Sequence, residues 1–531
     1  MRVSGTTVEV MAAALREAGV GLLFGFPGGG SNLDLIAAAK DAGLRFVLAH
    51  SESAAGFMAA TFGELSGRPG VCLATLGPGA ANLVNPAAHA FLDRAPVLLV
   101  TDRHPAAVQT AMLHQRIDHQ ALFAPVTKAQ LTLDHRTVRG EVERALTIAA
   151  TPIPGPVQID LPADEAAQPA DPGSPDLTAP NTPSPSVETE ARAMIAAAER
   201  PVVLIGLAAA DPASARAVRR FVEDGALPFL TTYKAKGVLP ESHALAAGIF
   251  TGATIEREIV NQADLIITIG LDPVELIPRA WGYRQPVLSI SPWPLPDQTQ
   301  FRPSLALSGP LAETLPALGC PRSDGWDRDA LAGILAVQRR RLSPPVDGLA
   351  PHRVVEIACQ QAGSDAIVAV DAGAHMFPAT SFWRAEAPRS FLISNGLATM
   401  GYAVPAGICA ALLFPDRRVV VLTGDGGMLL TAAELSTAAR LGVRLTIVVF
   451  DDRSLSLIKI KQRQGNDAST SFAPIDWPML ARSVGVAGFA ASSDDEFGGA
   501  FAAALREDGP SLVAARIDPS GYGAVLATIR G

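Results

Sequence analysis

Cysteine is sparse in this chain, basic residues are nowhere concentrated and apolar runs are short, and each shortage excludes a class of protein. The four cysteines, Cys72, Cys320, Cys359 and Cys409, are widely separated and form no CxxC pair. Neither a zinc site nor a disulfide framework is signalled, and buried thiols in a reducing compartment are expected. A formal charge of −9 provides no clustered basic surface for nucleic-acid phosphates. The densest basic group, Arg339-Arg340-Arg341, reads as the solvated end of a helix. No apolar run reaches the roughly 18 residues of a membrane helix. The opening MRVSGTTVEVMAAALREAGV, interrupted by Arg16 and Glu17, lacks the apolar centre of a secretory signal. A cytoplasmic protein with neither nucleic-acid nor membrane partners is the expectation.

What is present favours compact folding: hydrophobic residues make up 48% and charged residues 18%, whereas disordered chains exchange apolar residues for net charge. A chain of 531 residues exceeds a single core, and three units are the natural division. Short aliphatic runs alternate with Ala-rich helical stretches, the pattern of βα units on parallel sheets. The runs are VCLAT (71–75), PVLLVT (96–101), PVVLIG (201–206), LIITIG (265–270), AIVAVD (366–371), RVVVLTG (418–424) and LTIVVF (445–450), all read as buried strands. The fold class is therefore α/β, with three doubly wound parallel-sheet domains. The Pro-, Ala- and Ser-rich stretch from Pro162 to Ser186 suits neither helix nor sheet for long. A second break lies between Cys320 and Pro351, where two turn-rich stretches flank one helical segment. Domains are expected at 1–165, 187–325 and 351–531, with linkers at 166–186 and 326–350.

One segment carries chemistry. The strand RVVVLTG runs into Gly424-Asp425-Gly426-Gly427, and after a helical stretch the strand LTIVVF leads to Asp451-Asp452-Arg453-Ser454. Two carboxylates thus stand at the C-terminal ends of successive strands, the edge at which open α/β sheets bind ligands. Mg²⁺ is commonly held by one or two carboxylates plus phosphate oxygens. Glycines let the backbone approach a diphosphate, and the helix that follows turns its first N–H groups towards it. A GDG after a strand or an Asp-Asp pair alone is often only a turn. Together, with Asp452 following Asp425 by 27 residues, they form a specific pattern.

This segment resembles the binding motif of the thiamine-diphosphate (ThDP) enzymes, in the branch of acetohydroxyacid (acetolactate) synthase and benzoylformate decarboxylase. The resemblance implies a domain each for the cofactor pyrimidine (1–165) and diphosphate (351–531), around a central domain. It implies Mg²⁺ bound by the side chains of Asp425 and Asp452 and the carbonyl of Ser454, with Gly424, Gly426, Gly427 and Leu455 beside the diphosphate. Asp452 stands where the family more often has Asn. DAGAHMF (371–377) is similar to the diphosphate-side loop, which makes Gly373, Ala374 and His375 candidates. NGLATMGYAVPAGI (395–408) places Met400 as the bulky residue beneath the cofactor, although a lone Met is usually core.

A carboxylate on the pyrimidine nitrogen N1′ is also needed to activate the cofactor. The segment AHSESAAGFMAATFGELSGRPGVCLATLGPGAANL (49–83) resembles the family's, and its PGVC and GPGA stretches set Glu52 on or beside the catalytic glutamate. Glu52 could equally serve the first turn of a helix near Ser53. By the same resemblance Pro27, Thr75, Pro78, Asn82 and Gln115 surround the aminopyrimidine, and Gly28 and Gly29 lie on the substrate side. The family pairs the two halves across a dimer interface, implying at least a homodimer here and, by the same resemblance, a homotetramer.

The substrate class implied is a 2-oxo acid. Decarboxylation would be followed by joining to a second carbonyl, as in acetolactate synthase, or alternatively by release of an aldehyde. In the family's AFQE stretch this chain has LHQR, which brings His114 and Arg116 beside Gln115, and Lys461 replaces a pocket Trp. Arg116, Lys459 or Lys461 would pair with an anionic group on an unusual substrate, or the lysines are solvated. His114 and His119 are candidates for proton transfer, weighed against the structural role of most histidines. GLDPVELIP (270–278) and SISPWP (289–294) replace the family's flavin-binding stretches, so FAD is not expected. Two other readings stand: a dinucleotide oxidoreductase on GFPGGG (25–30), which lacks the acidic residue about 20 positions on, and an inactive homologue, against which Glu52, Met400 and Asp425 argue.

Overall fold

The computed structural model describes residues 5–170, 185–297, 299–320, 322–462, 465 and 467–531. They build three six-stranded sheets in which every pairing is parallel. The first contains β1 (Leu22–Phe26), β2 (Arg45–Leu48), β3 (Gly70–Ala74), β4 (Val97–Arg103), β5 (Ala129–Thr132) and β6 (Pro156–Pro162), in the order β2-β1-β3-β4-β6-β5. The second contains β7 (Pro201–Ile205), β8 (Phe229–Thr231), β9 (Ala246–Ile249), β10 (Leu265–Ile269), β11 (Val287–Ser291) and β12 (Leu305–Ser308), in the order β9-β8-β7-β10-β11-β12. The third contains β13 (Ile367–Val370), β14 (Phe391–Ile393), β15 (Val419–Gly424), β16 (Leu445–Asp451), β17 (Ala487–Ala491) and β18 (Ser511–Arg516), in the order β14-β13-β15-β16-β18-β17. The first and third sheets therefore share one topology.

Each of the seven aliphatic runs forms a strand, and the reason is visible in the central sheet. Val203 and Ile205 of β7 enter one apolar cluster while Val202 and Leu204 enter another. Successive side chains leave a strand on opposite faces, so a sheet covered on both sides needs an unbroken apolar run.

By compactness the chain divides into two units. One comprises the described residues up to Ala170 together with 396–414 and 431–441, and the other comprises the remainder. Helix Ala403–Leu413 thus packs on helix Glu52–Ser66 within the first unit, and residues 403–411 are all buried.

The Pro162–Ser186 stretch is not irregular throughout. Pro169–Ala170 pairs antiparallel with Gly5–Thr6, helix Pro185–Ala197 begins inside it, and 171–184 lie outside the described residues. Between Cys320 and Pro351 stands helix Arg328–Leu342, N-capped by Asp327, with Arg339 and Arg341 paired to Glu356 and Glu258. None of the four cysteines is in a disulfide, but only Cys72 and Cys409 are buried; Cys320 and Cys359 are partly exposed, a departure from the expectation. No described helix is long and apolar enough to cross a membrane.

Candidate functional site

In the second unit, β15 and β16 lie side by side with Gly424 opposite Phe450, so Asp425 and Asp452 leave neighbouring strand ends. The amide of Ser454 joins them, 3.2 Å from Asp425 Oδ2 and 3.1 Å from Asp452 Oδ1. Ser456 Oγ donates to Asp452 Oδ2 at 2.6 Å. Burial, and then the neighbouring charge of Asp452, push the Asp425 carboxyl up to about 7; burial also raises Asp452. Two half-desolvated carboxylates that repel each other form a donor set suited to a hard divalent cation. The helix that opens at Asp425 is short. It runs only from Asp425 to Leu430, and the Gly426 amide is already taken by Asp425 Oδ1 at 2.7 Å.

Around this pair the backbone is unusually close to other groups. A Cβ on Gly427 would stand 2.3 Å from Asp371 Oδ2, and one on Gly424 would stand 3.2 Å from His375 Nδ1. His375 is buried and stacked on Phe450 at 5.4 Å; burial lowers its imidazole to about 4, so it is neutral. Its Nε2 and the Oγ of Ser454 are buried without a hydrogen-bond partner among the described residues. Orphaned polar atoms beside glycine backbone are what a bound polar group would satisfy. The residues present thus fit a metal-bridged diphosphate.

In the first unit Glu52 opens helix Glu52–Ser66 but does not cap it; Ser51 does, accepting from the Ala54 amide at 3.1 Å. The Glu52 carboxylate, almost buried, instead accepts from Asn82 Nδ2 at 3.0 Å. Asn82 ends the turn that begins at Thr75 and passes through helix Pro78–Asn82. Thr75 is against the GFPGGG turn, since a Cβ on Gly28 would fall 2.2 Å from its Oγ1, while Gly29 faces open space. Pro27 is half-buried just after β1, and Met400 is half-buried just before helix Ala403–Leu413 in this same unit. Gly373, Ala374, His375, Asp425, Asp452 and Leu455 belong to the second unit.

A cavity of about 510 Å³ lies at the C-terminal ends of β3, β4 and β6, lined among others by Leu76, Gln115, Arg116, His119 and Asp160. Gln115 adopts φ +58, uncommon for a residue with a side chain. Arg116 lends its guanidinium to the carbonyls of Gln109 and Thr110. His114 is exposed, its carbonyl accepting from His104 Nε2 at 2.9 Å. Lys459 pairs with Asp467 at 2.9 Å and Lys461 is exposed, both in the second unit.

The two alternative ligand positions are filled from within. The GFPGGG turn leads to helix Ser31–Asp41, whose Asn32 amide and Ser31 hydroxyl both donate to the buried carboxylate of Asp102. A phosphate there would meet that negative charge. In the central sheet the order reverses between β7 and β10, where such folds hold dinucleotides. The Glu275 carboxyl group occupies this place, accepting from Leu207 N at 2.9 Å, Asp272 N at 3.2 Å and the Thr232 hydroxyl. These residues do not fit a dinucleotide phosphate.

Asp160 and Asp102 lie in none of the motifs read from the sequence, while Asp371 and Glu275 stand inside DAGAHMF and GLDPVELIP without a role of their own being read from them. Their only signal was an acidic residue in or just beyond an apolar run, as in PVQIDLP and AIVAVD.

Comparison with known proteins identifies the family. Models of the thiamine pyrophosphate enzyme match three stretches: its N-terminal TPP binding domain at 5–122, its central domain at 189–318 and its C-terminal TPP binding domain at 371–515. The chain is 31% identical to a catabolic acetolactate synthase of Raoultella terrigena, covering 96% of this chain and 94% of that protein. It is 28% identical to an acetolactate synthase of Bacillus subtilis (strain 168), over 96% and 93%. It is 29% identical to the acetolactate synthase isozyme 1 large subunit of Escherichia coli (strain K12), over 97% and 94%.

Proposed function

The chain belongs to the thiamine pyrophosphate enzymes of the acetolactate synthase kind, which act on 2-oxo acids, and from that premise we propose that it decarboxylates one 2-oxo acid and joins the retained fragment to a second carbonyl. Mg²⁺ is the proposed metal. The observation carrying this reading is the pair of buried Asp425 and partly buried Asp452, bridged by the Ser454 amide and bordered by glycine backbone. When bound, thiamine diphosphate supplies a carbon nucleophile and a sink for the electrons released as CO₂ leaves.

The chain's own residues do the rest. Asp425 and Asp452, with the Ser454 carbonyl, would hold the metal, and Gly424, Gly426, Gly427, Gly373, Ala374, His375 and Leu455 would border the diphosphate. Glu52 would hold a proton against the pyrimidine N1′, with Asn82 fixing its carboxylate; Pro27, Thr75 and Pro78 border that ring and Met400 supports it. Gln115 and His114 are assigned to the reaction itself. Gly28, Gly29, Arg116 and Lys461 are assigned to the substrate, the two cations to an anionic group on it. An assembly of at least two copies, and by resemblance four, would complete the sites, which light scattering checks. The central domain would carry no FAD, because Glu275 holds the phosphate position; flavin absorbance of purified protein tests this.

The deciding experiment reconstitutes the protein with ThDP and Mg²⁺ and follows a panel of 2-oxo acids by NMR, with and without acceptor aldehydes. Glu52→Gln should lower turnover by roughly 100-fold or more; unaltered turnover would remove the mechanism. Aldehyde as the sole product would establish the decarboxylase alternative. That second reading is favoured by the proton-bearing groups lining the cavity of the first unit.

A further inference from the structure

The turn from Thr75 to Asn82 connects two sites in the first unit. At its far end Asn82 holds Glu52, as described. At its near end the Gly77 amide donates to His119 Nε2 at 3.4 Å. His119 is 6% exposed, and its Nδ1 lies 2.7 Å from Asp160 Oδ1. That same oxygen also accepts from Thr101 Oγ1 and Gln158 Nε2, both at 2.9 Å. A carboxylate so anchored keeps the imidazole proton on Nδ1, leaves Nε2 as the working atom and stabilises the imidazolium when Nε2 is protonated.

Three observations separate this pair from an ordinary core histidine. His119 and Asp160 line the 510 Å³ cavity, whose other charged or titratable groups are Arg103, His104, Arg116 and Asp118. The bond to Nε2 is long, hence weak and readily exchanged for one to a substrate atom. The backbone there is tight and strained at one residue: Gln115, which has a side chain, adopts φ +58, and opposite it Gly77 has φ +64, where a Cβ would fall 2.6 Å from the Gln115 carbonyl. Strain of this kind collects at functional sites. The other buried pair, His89–Asp93 at 2.9 Å, is 0% exposed and packed against the rings of Phe57 and Tyr402.

We propose that His119, oriented by Asp160, is the acid–base group of this cavity and protonates the carbonyl oxygen of the acceptor as the new carbon–carbon bond forms. The Nε2–H bond breaks, its electron pair stays on nitrogen, and the proton becomes that of the product hydroxyl. The hydroxyl on the donor-derived carbon would return a proton to Nε2 as that carbon regains its carbonyl, and the bond holding it to the cofactor would break with its electron pair returning to the cofactor. This inference rests on the carboligase reading above and moves the proton-transfer role from exposed His114 to His119.

The test uses the ThDP- and Mg²⁺-loaded protein and its His119→Asn and Asp160→Asn variants. Titration calorimetry with oxamate, an unreactive isostere of pyruvate, in two buffers of different ionisation enthalpy counts protons taken up on binding. Wild type should take up protons and His119→Asn none. In turnover, His119→Asn should lower kcat by about 100-fold with unchanged ThDP affinity, and Asp160→Asn by about 10-fold or more with His119 still present. Equal proton uptake in wild type and His119→Asn, no oxamate binding by wild type, or kcat losses that merely follow lost ThDP binding would each overturn the proposal. Should His119→Asn not fold, Asp160→Asn and its proton count decide. Intact turnover in Glu52→Gln would instead strike the functional reading, while the proton count still reports on His119.

Discussion

At the scale of single residues, the polar groups that matter are those whose surroundings conflict with their charge. Glu275 is the clearest. Burial pushes its carboxyl from the ordinary 4.5 up to about 8, against the opposing effect of the bonds from Thr232 and Leu207. The folded chain therefore retains a proton there that the unfolded chain releases above 4.5, so the unfolded state binds fewer protons across this interval. The stabilisation is fully present below about 4.5 and is lost as pH rises through about 8. Glu275→Gln carries no titrating group and should flatten that decline. Urea unfolding midpoints at several pH values between 5 and 9 measure it, and parallel curves for wild type and variant would refute the assignment.

At the scale of elements, the turn joining β3 to helix Pro78–Asn82 depends on one glycine. Gly77 combines φ +64 with ψ −106, and a Cβ would stand 2.6 Å from the Gln115 carbonyl oxygen and 2.9 Å from its Cβ. Backbone cannot yield as a flexible side chain can. Gly77→Ala should cost about 1–3 kcal/mol of stability and disturb Gln115 and His119 together, so that activity falls further than stability does. Gly140 is a counterpart within helix Val138–Ala150, where a Cβ would meet nothing within 4 Å. Gly140→Ala should be stabilising by about 0.5–1 kcal/mol. Chemical denaturation of both variants provides the comparison, and equal effects at the two positions would dismiss the argument from the turn.

At the scale of the whole molecule, binding to the folded chain alone must raise its stability. ThDP with Mg²⁺ at 100 times the dissociation constant should add about 2.7 kcal/mol, read as a higher thermal midpoint. Removing the metal with a chelator should cancel most of the gain. Asp425→Asn should show the smaller gain even with Mg²⁺ present, because one of two facing carboxylates is gone. A full shift in Asp425→Asn would place the metal elsewhere.

Much of this was legible from the chain in order. Strands buried on both faces must be continuously apolar, which made the seven runs readable, and the spacing of Asp425 and Asp452 followed because each ends such a strand. Glu52 was singled out as a candidate by its neighbours in sequence. Asp160 and His119, by contrast, are separated by 41 residues, and the partners of Glu275 come from the ends of three strands. Helix Ala403–Leu413 reads as part of the last domain yet packs in the first unit. By itself the sequence determined the βα rhythm, the cofactor motif and the acids at its strand ends, since each depends on local periodicity or fixed spacing. Only the tertiary structure decided which buried acid meets which donor, because a carboxylate removed from water takes its character from whatever the folded chain places against it.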